Sequence, residues 1–92
     1  MKKFKVLSID AWGNKKDGYE WNNWFTIGCI NETKLNLFDK NKKEFLNELL
    51  KIGLINRSDL RITEFEDDQY NIILINRKSK RPIIAIEYGR EY

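Results

Sequence analysis

The sequence predicts an α+β fold in which one mostly antiparallel β-sheet carries a single helix on one face. Five segments have the alternating or β-branched character of strands, and one segment has the 3.6-residue periodicity of a helix. The connections between most neighbouring segments are short, which favours antiparallel hairpins. The predicted element order is therefore β-β-α-β-β-β. We expect one domain spanning residues 1–92, because this length is close to the common domain size.

The first two predicted strands cover residues 3–10 and 24–31, where apolar, aromatic and β-branched side chains are concentrated. Residues 11–23 between them contain two turn signals, Gly13-Asn14 and Asp17-Gly18. This stretch is long for a hairpin connection, so we expect it to form a loop.

The helix is predicted over residues 41–54. Asn41 is a suitable N-cap, and Glu44 three residues later fits a capping box. Gly53 follows the last turn, where a left-handed residue commonly ends a helix. The apolar stripe predicted to pack on the sheet consists of Phe45, Leu46, Leu49 and Leu50.

The last three predicted strands cover residues 60–66, 70–76 and 82–88 and form an antiparallel meander. The fourth and fifth strands are apolar on both faces, although a single helix covers only one face of the sheet. We therefore expect the second face to be covered as well. The 11–23 loop could cover it with Trp12 or Trp21 as its plug, or two chains could pair through it in a homodimer.

The composition excludes several kinds of chemistry. Histidine is absent, which removes histidine acid–base catalysis and the usual zinc ligand sets, and a single cysteine excludes an internal disulfide. The acidic residues Glu64, Glu66, Asp67 and Asp68 do not follow the order of a calcium loop, so we expect no metal and no cofactor. The sequence has no membrane-spanning apolar run and no signal peptide, which predicts a cytoplasmic protein.

Several short motifs spread along the chain resemble those of a known group of small proteins. They are Asp17-Gly18, Trp21-Asn22, Gly28, the leucine-rich 46–50 segment and the Arg-Pro-Ile-Ile run at 81–84. In these features the chain resembles small proteins encoded by bacteriophages and prophages of Gram-positive bacteria. The resemblance implies a phage context inside a bacterial host. It implies no activity, and it carries over no site residues.

Two groups of residues are candidates for partner binding. The aromatic side chains Trp12, Tyr19, Trp21, Trp24 and Phe25 crowd into fourteen positions, and they either anchor a partner or complete the core. The second group is the basic connection formed by Arg77, Lys78, Lys80 and Arg81. It either grips phosphate or an acidic protein surface, or is a solvated tip that discourages aggregation.

The function best predicted by these observations is that of a small non-enzymatic binding protein that docks on a host or phage protein, for example as an inhibitor or adaptor. Its predicted binding residues are Trp12, Tyr19, Trp21, Arg77, Lys78, Lys80 and Arg81. A nucleic-acid-binding protein that uses the basic 77–81 hairpin is the alternative. A small metal-independent ribonuclease that works without histidine is the third possibility.

Overall fold

The computed structural model describes residues 2–92, with side chains placed for all of these except residues 23, 24, 61 and 62. Its elements in chain order are β1 (Lys3–Asn14), β2 (Gly18–Asn31), α1 (Glu32–Lys40), α2 (Lys42–Lys51), α3 (Asp59–Ile62), β3 (Thr63–Asp67), β4 (Asn71–Asn76) and β5 (Pro82–Glu87). The strands form one antiparallel sheet in the order β2-β1-β5-β4-β3. Strands β2 and β3 are therefore the two edges of the sheet.

The predicted α+β class, the antiparallel sheet and the hairpin followed by a meander are confirmed. The prediction of a single helix is wrong, because the stretch between β2 and the predicted helix is itself helical and forms α1. A further helical turn, α3, takes up the first residues of the predicted 60–66 strand, so β3 begins only at Thr63.

Two asparagines set the boundaries of α1 and α2. The side chain of Asn31 accepts a hydrogen bond from the Lys34 backbone N–H at 2.9 Å and so caps α1. Asn41 ends α1 by donating its backbone N–H to the Leu37 carbonyl, and its side chain accepts a hydrogen bond from the Glu44 N–H at 3.1 Å to start α2. The predicted N-cap role of Asn41 is confirmed, and the same residue separates the two helices.

The C-terminus of α2 has the predicted glycine stop. Gly53 has a φ of 80° and donates its N–H to the Leu50 carbonyl at 3.1 Å. The Leu54 N–H donates to the Leu49 carbonyl at 3.0 Å, which completes a Schellman motif. This pair of hydrogen bonds satisfies two carbonyls that the end of a helix would otherwise leave unpaired.

Helices α1 and α2 pack on one face of the sheet, and three phenylalanines lie at the centre of that contact. The ring of Phe38 in α1 lies 5.5 Å from that of Phe45 in α2 and 5.1 Å from that of Phe65 in β3. The predicted apolar stripe is confirmed, since Phe45, Leu46 and Leu49 are buried and Leu50 packs at the margin. The sheet contributes Val6, Ile72, Leu74, Ile84 and Ile86 to the same core.

The opposite face of the sheet is also buried. The strand register places Ala85 between Leu7 and Ile73 on this face, and all three side chains are at most 8% exposed. The expectation that the second face is not left bare is therefore confirmed. This burial is achieved within a single chain, and Tyr19 and Trp21 of the β1–β2 hairpin line a cleft together with Ile75 and Pro82. This burial removes the reason for expecting a homodimer, which stays a prediction that light scattering tests.

Candidate functional site

Residues 11–23, predicted to be a loop, instead extend the first two strands into a long β-hairpin. Strand β1 runs to Asn14 and β2 begins at Gly18, so the turn contains only residues 15–17. Asn14 Oδ1 accepts a hydrogen bond from the Asp17 N–H at 2.8 Å, and Gly18 supplies a φ of 93° that a residue with a Cβ rarely adopts. The Asp17-Gly18 signal marks this tight turn, and the aromatic residues beside it behave as strand residues.

The two faces of the hairpin carry different aromatic side chains. Trp12 lies opposite Glu20, its indole Nε1 donates a 3.0 Å hydrogen bond to Glu20 Oε2, and it is 46% exposed. Tyr19 and Trp21 flank Glu20 in the strand, so they project from the other face, and both are half-buried. This second face continues the sheet face that carries Leu7, which is the face without helices.

The outer half of the hairpin, which is the part nearest its turn, bends across that face. It forms one side of an open cleft of about 300 Å³. Tyr19 and Trp21 of β2 line one side, and Glu64 and Glu66 of β3 line the other. In a flat sheet these edge strands would lie four strand spacings apart, about 19 Å, so the sheet must bend to bring them to one cleft. We call this site the hairpin cleft, and its lining residues are Gly18, Tyr19, Trp21, Glu64, Glu66, Ile75, Lys80 and Pro82.

Register shifts indicate where the hairpin bends. Pairing between β1 and β2 shifts on both sides of Leu7, so that β2 contains more residues than β1 over the same length. Such β-bulges increase local twist and bend the strand. The nearby Phe25 and Ile27 are 50% and 37% exposed. Trp24, also part of the predicted aromatic patch, has a side chain that lies outside the described residues.

The β4–β5 turn directs one lysine into the cleft. Asn76 Oδ1 accepts hydrogen bonds from the N–H groups of Lys78 and Ser79, and the Asn76 carbonyl accepts a 2.7 Å hydrogen bond from the Lys80 N–H. Lys80 consequently has a φ of 64°, a left-handed conformation that costs a residue with a side chain on the order of 1 kcal/mol. In this conformation Lys80 Nζ lies 2.8 Å from Glu64 Oε1.

The other predicted basic residues lie outside the cleft. Arg77 donates from Nη2 to the Thr63 carbonyl at 3.3 Å, on the helix side of β3. Lys78 and Arg81 are exposed on the turn. Of the seven predicted binding residues, the structure therefore brings Tyr19, Trp21 and Lys80 to one cleft. The other four, Trp12, Arg77, Lys78 and Arg81, do not line it.

Sequence reasoning missed the acidic wall of the hairpin cleft. Glu64 and Glu66 alternate with Phe65, whose burial against the helices sends both carboxylates to the opposite face. That alternation was visible in the sequence, but the approach of the hairpin to β3 was not. Among the described residues no group of three or more cysteine, aspartate or glutamate side chains is placed to hold a metal ion.

The remaining acidic residues of this segment have structural partners. Tyr88 donates from its hydroxyl to Asp67 Oδ1 at 2.6 Å and also to the Asp68 carbonyl. The hydrogen bond to the Asp67 carboxylate favours the protonated phenol and raises the pKa of Tyr88 to about 12. Asp68 Oδ1 accepts hydrogen bonds from the N–H groups of Tyr70 and Asn71, which forms the β3–β4 turn.

A second groove, of about 460 Å³, lies on the helix side and is basic. Lys42 and Lys43 at the start of α2 line it together with Arg77. The Lys42 ammonium is held inward, 3.8 Å from the centre of the Phe38 ring and 2.7 Å from the Phe38 carbonyl. Lys42 and Arg77 are held in place by their contacts. Lys43 is the remaining cation that lines this groove, and the structure describes no partner for it.

Within residues 2–92, no helix has the length and apolar character needed to cross a membrane. Comparison of the chain with protein-family models, with curated proteins and with solved structures finds no match.

Proposed function

We propose that the chain is a small non-enzymatic binding protein, phage-encoded and acting in the cytoplasm of a bacterial host, that docks on a host or phage protein through the hairpin cleft. The observation that carries this proposal is the pair of half-buried rings, Tyr19 and Trp21, at the side of an open cleft. Tyrosine and tryptophan are enriched among residues that anchor protein interfaces. The phage setting depends only on the motif resemblance.

Exposed apolar side chains elsewhere on the hairpin support the proposal. Trp12, Phe25 and Ile27 lie on the same hairpin and are each more than a third exposed. Large apolar side chains grouped on one exposed element are typical of an interaction surface. The hairpin is also an edge of the sheet, where backbone groups of β2 face outward and are available for pairing.

Affinity capture from a lysate of a Gram-positive host, followed by mass spectrometry, tests the proposal. The bait is the wild-type chain, and the variant Glu66→Lys reverses an exposed charge in the cleft. Glu91→Lys is the matched control, because it makes the same charge change in the exposed tail. We expect one partner to be retained by wild type and by Glu91→Lys and lost with Glu66→Lys. Equal capture by all three proteins would contradict docking at the cleft.

Nucleic-acid binding is the second candidate function, and the basic groove lined by Lys42, Lys43 and Arg77 favours it. Lys78 of the adjacent turn would add a further phosphate contact. Phosphate contacts give an affinity that falls steeply as salt increases. Gel shifts at several salt concentrations, with wild type and with Lys43→Ala, test this candidate. Binding that is independent of salt, or unchanged by Lys43→Ala, would contradict it.

A further inference from the structure

We propose that the hairpin cleft binds an arginine side chain of the partner protein. This inference rests on the proposed docking function and names the chemistry that the cleft recognises.

The charge of the cleft is complementary to a cation. Glu64 and Glu66 contribute two carboxylates and Lys80 contributes one ammonium group, which leaves one net negative charge in a chain whose overall charge is +3. Lys80 pairs with Glu64 at 2.8 Å. No ion pair to Glu66 occurs among the described residues, so its carboxylate is available to a ligand.

The uncharged walls of the cleft fit the rest of an arginine side chain. The faces of tyrosine and tryptophan rings attract cations, and the planar guanidinium group stacks on them while donating paired hydrogen bonds to a carboxylate. Tyr19 and Trp21 provide the rings, and Glu66 provides the carboxylate. Ile75 and the buried Pro82 form an apolar surface for the three-carbon stem.

Lys80 acts as an internal competitor for this position. Its left-handed backbone conformation is unfavourable for lysine, yet the Asn76-centred turn holds it and directs its ammonium group to Glu64. An arginine that entered the cleft would use Glu66 and compete with Lys80 for Glu64. Removal of the Lys80 ammonium should therefore strengthen binding, although it removes a contact of the free protein.

The source of the arginine is a protein and not the free amino acid. A partly exposed ion pair and a cation–π contact are both weak when they act alone. Trp12, Phe25 and Ile27 are exposed on the same hairpin outside the cleft, and only a partner large enough to extend beyond the cleft could contact them as well.

The experiment is an NMR titration of the full chain with the capped tripeptide acetyl-Gly-Arg-Gly-amide. The control ligand has citrulline in place of arginine, which keeps the shape and removes the charge. The indole N–H signals of the three tryptophans are assigned with single Trp→Phe variants. We expect shifts at Trp21, Glu66 and Lys80 with the arginine peptide and none with the citrulline peptide.

Variants make the expectation quantitative. Glu66→Gln should weaken binding about fivefold and Lys80→Ala should strengthen it about fivefold, the factor that corresponds to about 1 kcal/mol for a partly exposed ion pair. Glu91→Gln, in the tail, should change nothing. Equal binding of the citrulline peptide, tighter binding of a lysine peptide, or shifts confined to Asp67 and Asp68 would each overturn the inference.

Two further outcomes separate this inference from the proposed function. If the arginine peptide leaves the cleft signals unmoved while Glu66→Lys still abolishes capture of a partner, the proposed arginine ligand is wrong. The proposal that a partner docks at the cleft then stands. If the cleft signals shift with protein concentration in the absence of peptide, a second copy of the chain occupies the cleft. This result would overturn the proposal that the cleft binds an arginine of a partner protein.

Discussion

Lys80 offers a sharp test of how the β4–β5 turn is built. With a φ of 64°, replacement by glycine should relieve backbone strain, whereas replacement by alanine should not. Both variants lose the same ion pair to Glu64, which joins side chains that are 46% and 33% exposed and is worth only about 0.2–1 kcal/mol. The loss of this ion pair therefore cancels when the two variants are compared.

The remaining difference between the two variants comes from the backbone. A left-handed conformation costs a residue with a Cβ about 1–2 kcal/mol. The greater freedom of glycine in the unfolded chain offsets about 0.5–1 kcal/mol of that. We expect Lys80→Gly to be more stable than Lys80→Ala by about 1 kcal/mol, or roughly 4–8 °C in melting temperature for a domain of this size. Urea melts with circular dichroism measure the difference. Equal midpoints, or a more stable alanine variant, would show that Lys80 is not held in the left-handed region.

Three further predictions concern the core, the pH dependence and metals. Leu49 is 1% exposed, so Leu49→Ala should lower the free energy of unfolding by about 2–5 kcal/mol, and a loss well under 1 kcal/mol in denaturant melts would contradict the packing of α2. The hydrogen bond to Asp67 raises the pKa of Tyr88 from 10.0 to about 12, so the folded state holds that proton more tightly than the unfolded state. The stabilising effect of this hydrogen bond is complete below pH 10 and is lost as the pH rises toward 12. The stability advantage of wild type over Tyr88→Phe should therefore shrink between pH 10 and 12. An advantage that stays constant over this range would refute the prediction. The melting temperature should be the same in EDTA and in millimolar magnesium or calcium, and a rise of several degrees with either ion would indicate a metal site.

The sequence predicts the parts of the fold whose signals are local. Asn41, the apolar stripe of α2 and Gly53 each act within one or two turns, and the structure has them where the pattern indicates. The sequence pattern did not indicate helix α1, because Phe38 is the one buried residue among its nine. A short helix owes its stability to such tertiary contacts more than to its own periodicity. The cap at Asn31 was the signal that could have located it.

The candidate site was harder to predict because it depends on distant contacts. Tyr19 and Trp21 flank Glu20 as alternating strand residues do, and Trp12 lies opposite Glu20, but the polar residues around them are typical of a loop. The bulges beside Leu7 bend the hairpin, and this bend brings Trp21 to a cleft that Glu66 also lines. A sequence pattern reports which residues share a face of a strand. It does not report how far the sheet curls.

A nuclear Overhauser spectrum of the protein shows whether the outer half of the β1–β2 hairpin lies across the open face of the sheet. Strands β2 and β4 would lie three spacings apart in a flat sheet, about 14 Å, which is too far for proton–proton cross-peaks. We expect cross-peaks from the ring protons of Tyr19 or Trp21 to the methyl groups of Ile75. A complete set of cross-peaks within the β1–β2 hairpin, with none from these rings to Ile75 or Pro82, would contradict it.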